Sequence, residues 1–209
     1  MNFFGHAAVA SWYSAAPGVA LGAMLPDFAT MCRARLDPQG DAAIAAGVDL
    51  HHATDAAFHR APAVLGLFRE AEARLTARGV RRGPTRACAH VGVELVLDGA
   101  LLPEPAYRAA FQAGLACDDA VAWRDPDGHA RYLALRARLR AQAPPRDLDT
   151  GAGVAQRLVR ILAGRPLLAP SAAEHHAIAA VMDELVARVA ASTPTVLTQV
   201  RAALAPPAR

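Results

Sequence analysis

Alanine, leucine and arginine, all good helix formers, fill this chain between proline and glycine breakers. No stretch sustains the Val, Ile and Thr alternation that a half-buried strand needs. That combination points to an all-α fold. The breakers mark nine helical segments: 5–15, 41–59, 62–78, 84–101, 104–122, 128–141, 151–163, 171–191 and 194–205. Pro17-Gly18 is read as the end of the first, and 17–39 as a turn-rich stretch holding Pro26-Asp27 and Asp37-Pro38-Gln39-Gly40. Ser171-Ala-Ala-Glu174 has the form of a capping box. Pro62, Pro84, Pro105 and Pro194 stand near helix starts, where proline is tolerated. Residues 142–150, with Pro144-Pro145, form the expected loop, and the tail Ala-Pro-Pro-Ala-Arg is expected to fray.

The chain has 209 residues, 54% hydrophobic and 20% charged, enough for a proper core and far from a disordered composition. No repeat or linker divides it, so one domain is expected over 1–209. Residues 1–102 would carry the chemistry and 103–209 would add packing helices. The net charge of +3 is too mild to argue for nucleic acid. All 22 basic residues are arginine. Without lysine, Schiff-base chemistry, a pyridoxal-phosphate enzyme and a Walker A loop are excluded. Residues 3–26 lack formal charge, but His6, Ser11, Ser14 and Pro17-Gly18 interrupt them, which argues against a membrane span. The first basic residue is Arg33, which argues against a signal peptide. Cys32, Cys88 and Cys117 are too irregularly spaced for a zinc knuckle, and suit reduced thiols in a cytoplasmic protein.

The remaining chemistry lies in histidines and carboxylates. His51, Asp55 and His59 stand at i, i+4 and i+8, with His52 beside them. His90, Glu94 and Asp98 repeat the spacing in an otherwise apolar segment, where buried charge needs partners. Two such helices can face each other across a divalent cation. His6 and Asp27, both in an apolar stretch, are further candidates. Each has a plainer reading: a hydrogen-bonded core histidine for His6, a turn cap for Asp27, a solvated face for 51–59. His175-His176 and His129 read as surface or helix-start residues. Arg78, Arg81, Arg82 and Arg86 cluster before the His90 segment, and Arg131, Arg136, Arg138 and Arg140 load another helix. Arginine suits phosphates and acidic partners, although ordinary solvated arginines would look the same.

Three motifs, in order, are similar to those of bacterial acyl carrier protein phosphodiesterases. Met1-Asn-Phe-Phe-Gly-His6 resembles the family's M-N-F-L-A-H start. Leu21-Gly-Ala-Met-Leu-Pro-Asp27-Phe resembles G-N-L-L-x-D-F, and 47–59 resembles G-I-x-x-H-R-x-I-D-x-x-T-D. The likeness covers about residues 1–102. It implies a single HD-domain-like helical domain, a divalent metal, and release of 4′-phosphopantetheine from holo acyl carrier protein, or hydrolysis of a related small phosphoester.

His6, Asp27, His51 and Asp55 match family positions directly, and the likeness implies catalytic parts for His52 and Asp55. The remaining metal candidates are His59, His90, Glu94 and Asp98, with Arg82 and Arg86 toward substrate. The chain departs from the family at several places. The family's arginine is His52 here and its T-D is Phe58-His59. Its D-x-x-x-D-H becomes either His90-x-x-x-Glu94-Leu95 or Glu94-x-x-x-Asp98-Gly99, and the register stays open. Histidine in place of aspartate favours Mn²⁺, Fe²⁺, Ni²⁺ or Zn²⁺ over Mg²⁺. The departures also suit a non-catalytic protein that keeps the scaffold. A ferritin-like di-iron bundle ranks last, because the chain has no Glu-x-x-His pair. No nucleic-acid or membrane partner is expected.

Overall fold

A computed structural model describes residues 1–37, 41–118, 121–142 and 146–205. Among them lie nine α-helices and no β-sheet: α1 Phe3–Ala10, α2 Pro17–Cys32, α3 Ala42–Phe58, α4 Pro62–Ala77, α5 Arg82–Leu101, α6 Pro105–Ala116, α7 Pro126–Ala141, α8 Gly151–Leu162 and α9 His175–Leu204. The all-α class read from the sequence is correct. No helix among the described residues is long and apolar enough to cross a membrane. The turn at 38–40, the Pro144-Pro145 loop centre and the last four tail residues lie outside the described residues.

The chain divides into two compact units, Met1–Ala56 with Leu101–Pro144, and Ala57–Ala100 with Pro145–Arg209. Each unit therefore takes segments from both sides of residue 102.

In the first unit α2 packs on α1, α6 and α7, and α1 and α7 also meet α6. Phe3 and Phe4 of α1 both contact the Phe111 ring of α6, and Phe3 also meets Phe28 of α2. Leu21, Met24, Leu25 and Phe28 are fully buried along α2. α2 falls in the stretch read as turns, and that expectation is overturned. Pro17 begins α2 at its first position rather than ending α1, which stops at Ala10. Pro26 lies inside α2. An interior proline costs about 3 kcal/mol. Burying four large side chains recovers more, at roughly 1.5–3 kcal/mol each. The sequence pattern carries the penalty and conceals the packing.

Helices α2 and α3 cross at glycine. A Cβ on Gly22 would lie 2.2 Å from the Ile44 carbonyl oxygen, and one on Gly47 would lie 2.3 Å from that of Val19. Only residues without a side chain permit this approach. Arginines finish neighbouring helix ends. Arg131 Nε donates to the Cys32 carbonyl at 2.6 Å, and Arg136 Nε donates to that of Leu115 at 2.8 Å. Part of the arginine-rich α7 therefore satisfies the C-terminal carbonyls of α2 and α6.

In the second unit α9 packs against α4 and α8. Gly92 is where α5 approaches Met182 of α9 and Leu158 of α8. The expected break before Pro194 does not occur, because α9 runs through it. Val189, Thr193, Val196 and Val200 keep one buried face across the proline. The Ser171–Glu174 capping box is present, and it caps a 3₁₀ turn, Ala172–Glu174, that leads into α9. Glu174 also accepts from the Arg81 backbone at 2.8 Å and the Arg81 guanidinium at 2.9 Å. Cys32, Cys88 and Cys117 are all buried. Burial, with the Glu174 charge nearby, pushes the Cys88 thiol up to about 12, so it packs as a small hydrophobe.

Candidate metal centre

The sequence candidates fall into two groups, one in each unit. In the first unit His6, Asp27 and His51 each bring a ligand atom within 4.8 Å of the others. They come from α1, α2 and α3. His6 and His51 are buried and their ring centroids are 3.9 Å apart. Asp27 sits inside α2, one residue past Pro26, and not in a turn, so the turn-cap reading is overturned. The glycine crossing brings α2 beside α3, and the His51 Nδ1 lies 2.9 Å from the Ala23 carbonyl oxygen. That distance makes Nδ1 the proton-bearing nitrogen and leaves Nε2 with its lone pair. Metal-ligating histidines are commonly fixed this way, by a carbonyl on the far nitrogen. Burial holds the His51 imidazole below its ordinary pKa, against the Ala23 bond and the Asp55 charge, which favours the neutral ring a cation requires.

In the second unit His59, His90 and Glu94 form the other group. The two Nε2 atoms are 3.0 Å apart. Glu94 Oε1 lies 3.2 Å from that of His90 and 3.5 Å from that of His59. Burial alone would raise the Glu94 carboxyl, but its bonds to His59 and His90 outweigh burial and hold it well below the carboxylate range.

The i, i+4, i+8 stripe of 51, 55 and 59 does not act as one face. α3 ends at Phe58, so His59 stands in the following turn. Asp55 belongs to neither group, and its Oδ1 accepts from the Met1 amino group at 3.2 Å. Asp98 is buried on α5, one turn beyond Glu94, and is also in neither group. His52 is exposed, edge-on to His51 at 5.3 Å. It lines a cleft of about 490 Å³ in the first unit with Leu25, Pro26, Ile44, Asp37, Asp49 and Arg124. Of the first arginine cluster, Arg78 pairs with Glu184 and Arg81 with Glu174, while Arg82 and Arg86 are exposed on α5. His129, His175 and His176 join neither group.

Sequence reasoning missed four contributors. Ala23 acts through its carbonyl, which no side-chain pattern reveals. Gly22 and Gly47 were visible only as glycines within apolar runs. Phe68 stacks on the His90 ring at 4.6 Å and 17°.

Imidazole nitrogens with a carboxylate oxygen are a donor set for divalent transition metals, so both groups fit such an ion chemically. Comparison with protein-family models, curated proteins and solved structures found no match.

Proposed function

We propose that this chain is a metal-dependent phosphodiester hydrolase of the acyl carrier protein phosphodiesterase type, with a divalent cation held by His6, Asp27 and His51. The observation that carries this reading is the convergence of these three side chains from three helices, with the His51 ring oriented by the Ala23 carbonyl. A cation bound there would polarise a phosphoryl oxygen and lower the pKa of its water toward about 7. His51 and His6 would supply ring nitrogens to that cation, and Asp27 a carboxylate oxygen. His52 presents an exposed imidazole to the adjoining cleft and is the group we assign to carry a proton to or from substrate. The cleft has apolar walls with Asp37, Asp49 and Arg124 at polar positions, a composition suited to a small amphipathic substrate. Arg82 and Arg86 are exposed on α5 of the second unit, where guanidinium groups suit a phosphate or an acidic protein surface.

A second reading, a non-catalytic helical protein that keeps the scaffold and the cation, draws on one observation. Asp55, given a catalytic part by the family likeness, is engaged by the Met1 amino group and lies outside the ligand group.

The test is turnover with Mn²⁺. The purified protein should release 4′-phosphopantetheine from holo carrier protein or hydrolyse bis(p-nitrophenyl) phosphate, and His6→Ala should abolish this with the fold retained. No turnover across Mn²⁺, Mg²⁺, Fe²⁺, Ni²⁺ and Zn²⁺ would favour the second reading.

A further inference from the structure

We infer that His59, His90 and Glu94 form a separate transition-metal site, a two-histidine, one-carboxylate triad built wholly within the second unit. A cation bound at about 2.0–2.2 Å separates adjacent ligands by about 2.8–3.1 Å at right angles and about 3.3–3.6 Å at the tetrahedral angle. The three ligand atoms here stand 3.0, 3.2 and 3.5 Å apart. Ring protons on the two histidines can serve the two edges that meet at Glu94, but they set N–H against N–H across the 3.0 Å edge between the rings, whereas a cation seated over the triangle serves all three corners.

The rings are also held in place. His90 and Glu94 are one turn apart on α5, which fixes their spacing. Phe68 of α4 stacks on His90, and the His59 ring lies nearly parallel to that of His90, 4.9 Å away. Phe58 packs edge-on against His59 at 5.2 Å. Aromatic contact therefore orients both imidazoles with Nε2 toward the carboxylate. The His90 and His59 side chains are 46% and 30% exposed, so water or a small ligand can reach further coordination positions. Three protein ligands with open positions are the pattern of a reactive site rather than a closed structural one. Two nitrogens and one oxygen select Zn²⁺, Co²⁺, Ni²⁺ or Fe²⁺ over Mg²⁺ and Ca²⁺, which prefer oxygen.

Co²⁺ titration of the full, chelator-stripped chain, followed by visible absorption, tests this site. Glu94→Gln and His90→Asn should each weaken Co²⁺ binding at the site by at least about tenfold. They should also remove a band that His6→Ala, a lesion in the first unit's group, leaves in place. Excess Mg²⁺ should not displace the ion. Equal Co²⁺ stoichiometry and spectra in the wild type, Glu94→Gln and His90→Asn would overturn the proposal. So would the loss of all bound Co²⁺ in His6→Ala. Should a variant fail to fold, the wild type with ¹⁵N-labelled histidine decides. Saturating Co²⁺ should shift or broaden the His59 and His90 ring signals, and unperturbed signals would overturn the site.

Discussion

Gly22 and Gly47 lie back to back: a Cβ on Gly22 would stand 2.9 Å from the Gly47 Cα, and one on Gly47 would stand 2.7 Å from the Gly22 Cα. This approach sets the spacing of α2 and α3, and hence the reach of His51 toward Asp27 and Ala23. Within a helix, alanine normally stabilises by about 1 kcal/mol over glycine. Here the new methyl would meet backbone, 2.3 Å from the Val19 carbonyl oxygen, which cannot rotate away. Gly47→Ala should therefore destabilise by about 2 kcal/mol or more in urea unfolding. It should also weaken cation binding by the His6 group. An unchanged or raised stability would show that the helices part without cost.

The Glu174 carboxylate links the start of α9 to Arg81. Its side chain is 9% exposed. The Arg81 guanidinium, with further bonds from the Arg81 and Ser171 backbone, outweighs burial and holds its pKa at about 2. The folded value lies below the unfolded one of about 4.3, so the unfolded state binds the proton first. The contribution is thus full above about pH 4.3 and is lost as pH falls toward 2. With Arg81 largely exposed, it amounts to roughly 2 kcal/mol. Glu174→Gln should lower the melting temperature at pH 7, and the gap from the wild type should shrink steadily as pH falls from about 4.3 toward 2. A constant gap across that range would contradict the assignment.

Arg131 closes the end of α2 by donating to the Cys32 carbonyl at 2.6 Å and to that of Arg33 at 3.3 Å. Arg131→Met keeps the aliphatic stem and removes the donors. It should cost about 1 kcal/mol in urea unfolding. No loss would mean that water replaces the guanidinium there without penalty.

Helices α3, α4 and α8 were legible almost to the residue, because breakers bound their apolar periodicity. α2 was not, because Pro17-Gly18 and Pro26 read as local punctuation while the burial that overrides them is tertiary. The two segments expected on either side of Pro194 merge into α9 for the same reason. The candidate ligands were likewise legible by residue type but not by grouping. Helical spacing placed His51, Asp55 and His59 together. The end of α3 at Phe58 instead sends His59 to join His90 and Glu94, while His51 meets residues of α1 and α2. Of the two registers left open on α5, the structure groups His90 and Glu94 with His59, while Asp98 joins neither group.

Whether the His6, Asp27 and His51 group holds a divalent cation is decided by elemental analysis of protein purified without added metal. His51→Ala and Asp27→Asn should each lose about one equivalent of divalent metal relative to the wild type, with helical content retained. Metal content equal to the wild type in both variants would contradict cation binding by this group.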